Sequence, residues 1–173
     1  MDAIVYVSKH GSTERYAKLL AEKLSLRAYK LKDAVASLKQ GSKIIYLACV
    51  RADSIMDLKK AEKYFALKII CAVGMSKTGE GVERIRKANE IDATIPLFTL
   101  QGAFYLTELK GIDKLIMKLM KNVLTKQITD KGTLNEDDRD MLKLLNEGGD
   151  RVDSYNLNDI LKYIKDNRIW KSY

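Results

Sequence analysis

The chain has 173 residues, enough for one ordinary domain with a real core. Hydrophobic residues make up 46% and charged residues 31%, and a single proline argues against linkers or a disordered chain. No apolar run approaches a membrane span, the first residues lack a signal-peptide pattern, and Cys49 and Cys71 form no CxxC or metal-ligand spacing. The expectation is a cytoplasmic protein with reduced, buried thiols and no metal site.

Charge is uneven along the chain. Of 31 basic and 23 acidic residues, 8 and 10 fall in residues 127–173, leaving 23 and 13 in residues 1–126, a net of +10. A basic body suits acidic partners or an anionic membrane surface. The sequence shows neither aromatic-interleaved basic motifs nor a DNA-reading helix pattern, so nucleic acid is not an expected partner.

The first element is an apolar, β-branched run, Ile4-Val5-Tyr6-Val7, that ends in Ser8-Lys9-His10-Gly11-Ser12-Thr13. A helix follows at once, with Tyr16, Ala17, Leu20 and Leu24 on one stripe. Strand, tight turn and helix start together aim backbone N–H groups and the positive end of a helix dipole at one point. Phosphate binds readily there; Ser8, Ser12 and Thr13 add hydroxyl donors and Lys9 a charge. Gly11 suits a turn with positive φ or close approach to a ligand. His10, the lone histidine, reads as a surface or phosphate-neighbouring residue, not a general base.

Residues 27–31 form a short strand candidate, and Lys32 to Lys39 a brief helix with Ala34, Val35 and Leu38 as its apolar face. The continuously apolar run from Lys43 to Val50 predicts a strand buried on both faces. Residues 53–65 then read as one helix, with Ile55, Leu58, Ala61 and Phe65 on a face. Leu67–Val73 is a second buried-strand run. The loop after Gly74 looks briefly like a phosphate-binding Walker loop, but Glu80 stands where that motif needs lysine. Val82, Ile85 and Ala88 support another helix, and Thr94–Leu100 a last strand. Leu109, Ile112, Leu115, Ile116, Leu119, Met120 and Val123 mark the strongest amphipathic helix, its methionines read as core filling.

This alternation predicts an α/β fold: a doubly wound, five-stranded parallel sheet of order 2-1-3-4-5 within residues 1–126. In that order the chain reverses between the first and third strands, and a ligand crevice opens at their C-terminal ends. Residues 127–173 read as a helical C-terminal extension packed on the same domain or on a dimer partner. Thr133 to Glu136 has capping-box spacing, Gly148-Gly149 ends that helix, and Asn158 caps another bearing Leu161, Tyr163 and Ile164, with Trp170 beyond it.

The spacing Ser8-x-x-Gly11-x-Thr13 resembles the FMN-phosphate loop of flavodoxins, themselves an example of the reversal rule just used. Two further turns match that pattern in order, Ala48-Cys49-Val50-Arg51 after the third strand and Gln101-Gly102-Ala103-Phe104-Tyr105 after the fifth. In flavodoxins the corresponding loops sandwich the isoalloxazine ring. The chain thus resembles the flavodoxin-domain family, which includes quinone-dependent protoporphyrinogen oxidases of flavodoxin type. The resemblance implies an FMN-binding redox protein, whose partner is a redox protein or a quinone-like small molecule. Gly102 would let the backbone approach the flat ring, and Phe104 or Tyr105 would stack on it or pack into the core. The competing reading is a flavodoxin-fold interaction or regulatory module without FMN. The chain departs from acidic electron carriers in its basic body, and in offering Arg51 where they commonly carry tryptophan and glycine.

Overall fold

The computed structural model describes residues 1–107, 109 and 111–167; Trp170 lies outside them. The chain divides into one unit formed by Met1–Gly102 with the segment from Val152 onward, and another formed by Ala103–Arg151.

The first unit is built on a parallel sheet of strands β1 (Ala3–Val7), β2 (Ala28–Lys30), β3 (Lys43–Arg51), β5 (Ala66–Gly74) and β6 (Leu97–Gln101). Their order is β2-β1-β3-β5-β6, with the two-residue β4 (Ser54–Ile55) folded back antiparallel on the end of β3. The expected doubly wound α/β topology is therefore present, the extra β4 renumbering the last two strands. Val7 pairs with Ala48, Ala48 with Ala72, and Ala72 with Thr99, so the strands leave the sheet nearly level along one edge.

Both sheet faces are covered, which is why the strands read as unbroken apolar runs. Ala3, Val5, Ile44, Tyr46, Ile70 and Leu97 pack with α2 (Leu31–Ser37), α3 (Leu58–Tyr64) and α4 (Val82–Ala88). Ile4, Tyr6, Ile45, Leu47, Ile69 and Leu100 pack on the other face with Tyr16, Ala17 and Leu20 of α1 (Ser12–Lys23). The same cluster includes Leu157, Ile160 and Ile164, from a 3-10 turn (Ser154–Leu157) and the helix after it, α7 (Asn158–Asp166).

Two expectations for this unit are corrected. Residues 53–65 are not one helix. Ser54–Ile55 is a strand and helix α3 begins at Leu58, because Ala52 (φ 47°) and Asp53 (φ 61°) turn the chain into a two-residue hairpin. The 3-10 turn before α7 is capped by Asp153, whose carboxylate accepts from Tyr155 N–H, and Asn158 supplies no cap.

The second unit holds α5 (Gly111–Thr129) and α6 (Glu136–Glu147). Its ends are joined where Phe104 and Gly149 exchange two backbone hydrogen bonds of 2.8 Å. Gly148, at φ 75°, ends α6, and a Cβ there would lie 2.8 Å from the Phe104 carbonyl oxygen, so the clasp requires glycine. The capping box is shifted two residues from the one expected. Asn135, not Thr133, caps α6, its side chain accepting from Asp138 N–H (2.8 Å) while Asp138 accepts from Asn135 N–H.

Lys131 Nζ donates to Asp138 Oδ1 (2.6 Å), and this bond, with the Asn135 N–H, holds the Asp138 carboxyl below its ordinary value of 3.8. A depressed carboxylate contributes stability above its unfolded pKa and loses it as pH falls through the folded one. Asp138→Asn should therefore be less stable than the native chain at pH 7, with the difference shrinking as pH falls below the ordinary carboxylate value and lost once the carboxyl is protonated in both states. Urea melts followed across that range test it; a gap that persists at the acid end would refute the assignment.

Candidate functional site

The turn from Ser8 to Thr13 sits on the level sheet edge, at the C-terminal end of β1, where the strand order reverses between β1 and β3. Gly11 has φ 90° and precedes the first residue of α1, so it cannot cap the helix with a side chain. The Ser8 hydroxyl instead accepts from Gly11 N–H (3.2 Å), which fixes the loop from inside. Lys9, His10 and Gly11 are exposed, Ser8 and Ser12 half-buried, and Thr13 is buried. Thr13 acts from behind the loop, as part of the first helical turn, and Ser12 carries the more accessible hydroxyl. A helix start closed by no cap side chain and fronted by a lysine and hydroxyls is chemically suited to an anion.

The stretch Ala48–Arg51 lies on β3, the strand next to β1. Ala48 is wholly buried in β3, and Cys49, Val50 and Arg51 continue that strand rather than follow it. Cys49 is half-buried; its Sγ meets Met56 Sδ at 3.0 Å and receives a hydrogen bond from Lys9 N–H, tying β3 to the first loop. Burial pushes the Cys49 thiol up, outweighing the Lys9 N–H that pulls it down, so it stays protonated near neutrality and is no nucleophile. Arg51 is exposed at the hairpin, and Asp53 pairs with Arg84 (2.9 Å).

Gly102, after β6, closes against Ser12 of the loop. A Cβ there would lie 3.1 Å from Ser12 Cβ, 3.2 Å from its Oγ and 3.3 Å from Val73 Cγ1. The close backbone approach expected at Gly102 is thus made to α1 and β5 of the chain itself. Gln101 is engaged in the same way: its N–H donates to Thr78 Oγ1 and its side-chain amide to Met75 O, both at 3.1 Å. Ala103, Phe104 and Tyr105 belong to the second unit, where Phe104 is buried and bonded to Gly149, and Tyr105 is 37% exposed. An open cleft of about 270 Å³ flanks Ser8 on the β2 side, lined in part by Tyr6, Glu14, Lys30, Lys32 and Lys60.

Two supporting residues escaped the sequence reading. The buried Asn89 accepts from Ile55 N–H (2.8 Å) and donates to Asp53 O and Ile85 O (2.7 Å each), clamping the hairpin after β3 to α4. Asn156 donates to the Tyr16 hydroxyl (2.7 Å), which itself donates to Gln101 O. The one readable signal was Tyr16 within an apolar stripe, since a buried tyrosine needs a hydroxyl partner.

A parallel sheet of this order, covered by helices on both faces, defines the class of doubly wound α/β proteins. Residues 3–131 match the flavodoxin domain model, and the chain belongs to that family. No curated protein and no solved structure matches it significantly.

The supports of the site give two expectations. Asn89→Ala leaves Ile55 N–H and Asp53 O without this partner and should cost about 2–3 kcal/mol in urea denaturation, whereas Arg84→Ala, from a mostly exposed ion pair, should cost less than about 1 kcal/mol. Gly102→Ala must displace the first turn of α1 or Val73, and should lose about 1–3 kcal/mol in the same assay; unchanged stability would mean that the contact yields freely.

Proposed function

We propose that the chain is an FMN-binding redox protein whose flavin phosphate sits at the Ser8–Thr13 turn. The observation that carries this reading is the start of α1: Gly11 at φ 90° opens the helix without a side-chain cap, at the sheet's reversal point, in a chain of the flavodoxin domain family. These features fit a dianionic phosphate, which first-turn N–H groups, the Ser12 hydroxyl and Lys9 would hold. FMN, when bound, supplies one- and two-electron chemistry, and the chain's part is to orient and tune it. Cys49 and Arg51, at the end of β3, border that position, the first as a neutral thiol and the second as a cation. The proposed electron partner is a redox protein or a quinone-like small molecule. Cys49 and Cys71 are both free thiols, in keeping with a reducing, cytoplasmic setting.

Flavin titration followed by fluorescence tests the reading. FMN should bind with quenching, and riboflavin, lacking the phosphate, far more weakly. Ser12→Ala should weaken FMN about tenfold, the worth of one hydrogen bond to a charged group, and leave riboflavin unchanged. A chain that takes up no FMN overturns the proposal in favour of a flavodoxin-fold interaction module. Equal loss for both flavins removes the phosphate from this turn.

A further inference from the structure

Asn156 lies outside the three stretches that resemble flavin loops, yet it bonds to the helix that presents the first of them. Its side-chain amide donates to the Tyr16 hydroxyl at 2.7 Å, and that hydroxyl donates to the Gln101 carbonyl. Tyr16 follows Ser12 by one helical turn, and side chains on a helix lean toward its N-terminus, so the phenol ties the opening turn of α1 to the end of β6. Gln101 is itself fixed by its bonds to Thr78 and Met75, which makes it a firm anchor. The next residue is Gly102, where a Cβ would lie 3.1 Å from Ser12 Cβ. Packing of Ser12 against Gly102 limits how near the helix start comes to β6, and the Tyr16 bond limits how far it withdraws. Between them the turn has one position.

The direction of the Tyr16 bond depends on Asn156. A phenol has a single proton to give and accepts on the same oxygen. The Asn156 amide occupies the accepting side and leaves the proton for Gln101. Asn156 is placed in turn by the core of its own unit. The Asp153 carboxylate caps the 3-10 turn by accepting from Tyr155 N–H (2.8 Å), and the wholly buried Leu157 and Ile160 anchor the residues that follow on the α1 face.

We infer that Asn156 is a positioning residue for the phosphate turn. It directs the Tyr16 proton to Gln101, and thereby sets the first-turn N–H groups of α1 and the Ser12 hydroxyl where a phosphate meets them. The inference rests on the FMN reading above. It also makes the turn complete only once the segment around Asn156 has docked.

Titration of the full chain with FMN and with riboflavin tests it. Asn156→Asp keeps the shape of the side chain but accepts where the amide donates, so the Tyr16 proton turns to the carboxylate and Gln101 loses its donor. FMN should weaken about fivefold, the worth of one hydrogen bond, with riboflavin unchanged. Tyr16→Phe should do the same. The double variant should be no weaker for FMN than Tyr16→Phe alone, because no hydroxyl remains to be redirected, whereas a charge acting on the phosphate through space would add its own loss. Asn156 is half-buried, and Asn156→Ser, smaller and neutral, repeats the test if the aspartate disturbs folding. Single variants that keep the native ratio of FMN to riboflavin affinity, or a double variant whose losses add, overturn this inference and leave the FMN reading standing. A native chain that takes up no FMN overturns both.

Discussion

The hydroxyl of Tyr16 holds together three stretches that are far apart in sequence. It lies on α1, wholly buried, donates to the Gln101 carbonyl at the end of β6, and accepts from the Asn156 amide just before α7. The helix that presents the anion-suited turn, the strand that leads to Gly102 and the returning C-terminal segment thus share one oxygen. A buried hydroxyl satisfied on both sides stabilises modestly, but leaving its partners unpaired costs more than the bond contributes. Geometry at the turn therefore depends on a hydroxyl buried behind it.

The same logic surrounds the rest of the sheet edge. Asn89 closes the hairpin after β3 by satisfying backbone groups that a two-residue turn leaves open, and Gln101 does so between β6 and the loop after β5. Each loop at the crevice is pinned by a polar side chain from behind. Such support is what lets a loop hold hydrogen-bond donors in place before a ligand arrives.

The sheet was legible in the sequence because burial on two faces leaves an unmistakable signature, the continuous apolar runs of β3 and β5. Their order followed from the alternation of strands and helices, and Gly11 from the need for positive φ. What escaped has physical causes. Ala52 and Asp53 adopt positive φ without being glycine, so nothing local announced the hairpin. Periodicity showed that α5 has an apolar face, but periodicity does not name what the face packs against. The shorter α7, with fewer apolar residues, packs in the core on the α1 face. Of the site, the Ser8–Thr13 turn was readable as a strand–turn–helix junction. The ends of the other two loops were not, because strand β3 runs on through Arg51 and the clasp at Gly149 takes Phe104.

The position of α7 also fixes an order of events during synthesis. Residues 1–102 contain every strand of the sheet, yet Leu157, Ile160 and Ile164 complete the core on the α1 face. While the ribosome is still making residues 103–156, that face shows apolar surface to water, and the Tyr16 hydroxyl lacks Asn156. The nascent sheet is a partly covered intermediate with its aggregation-prone side open. A pause in translation over residues 103–156 lengthens that exposure.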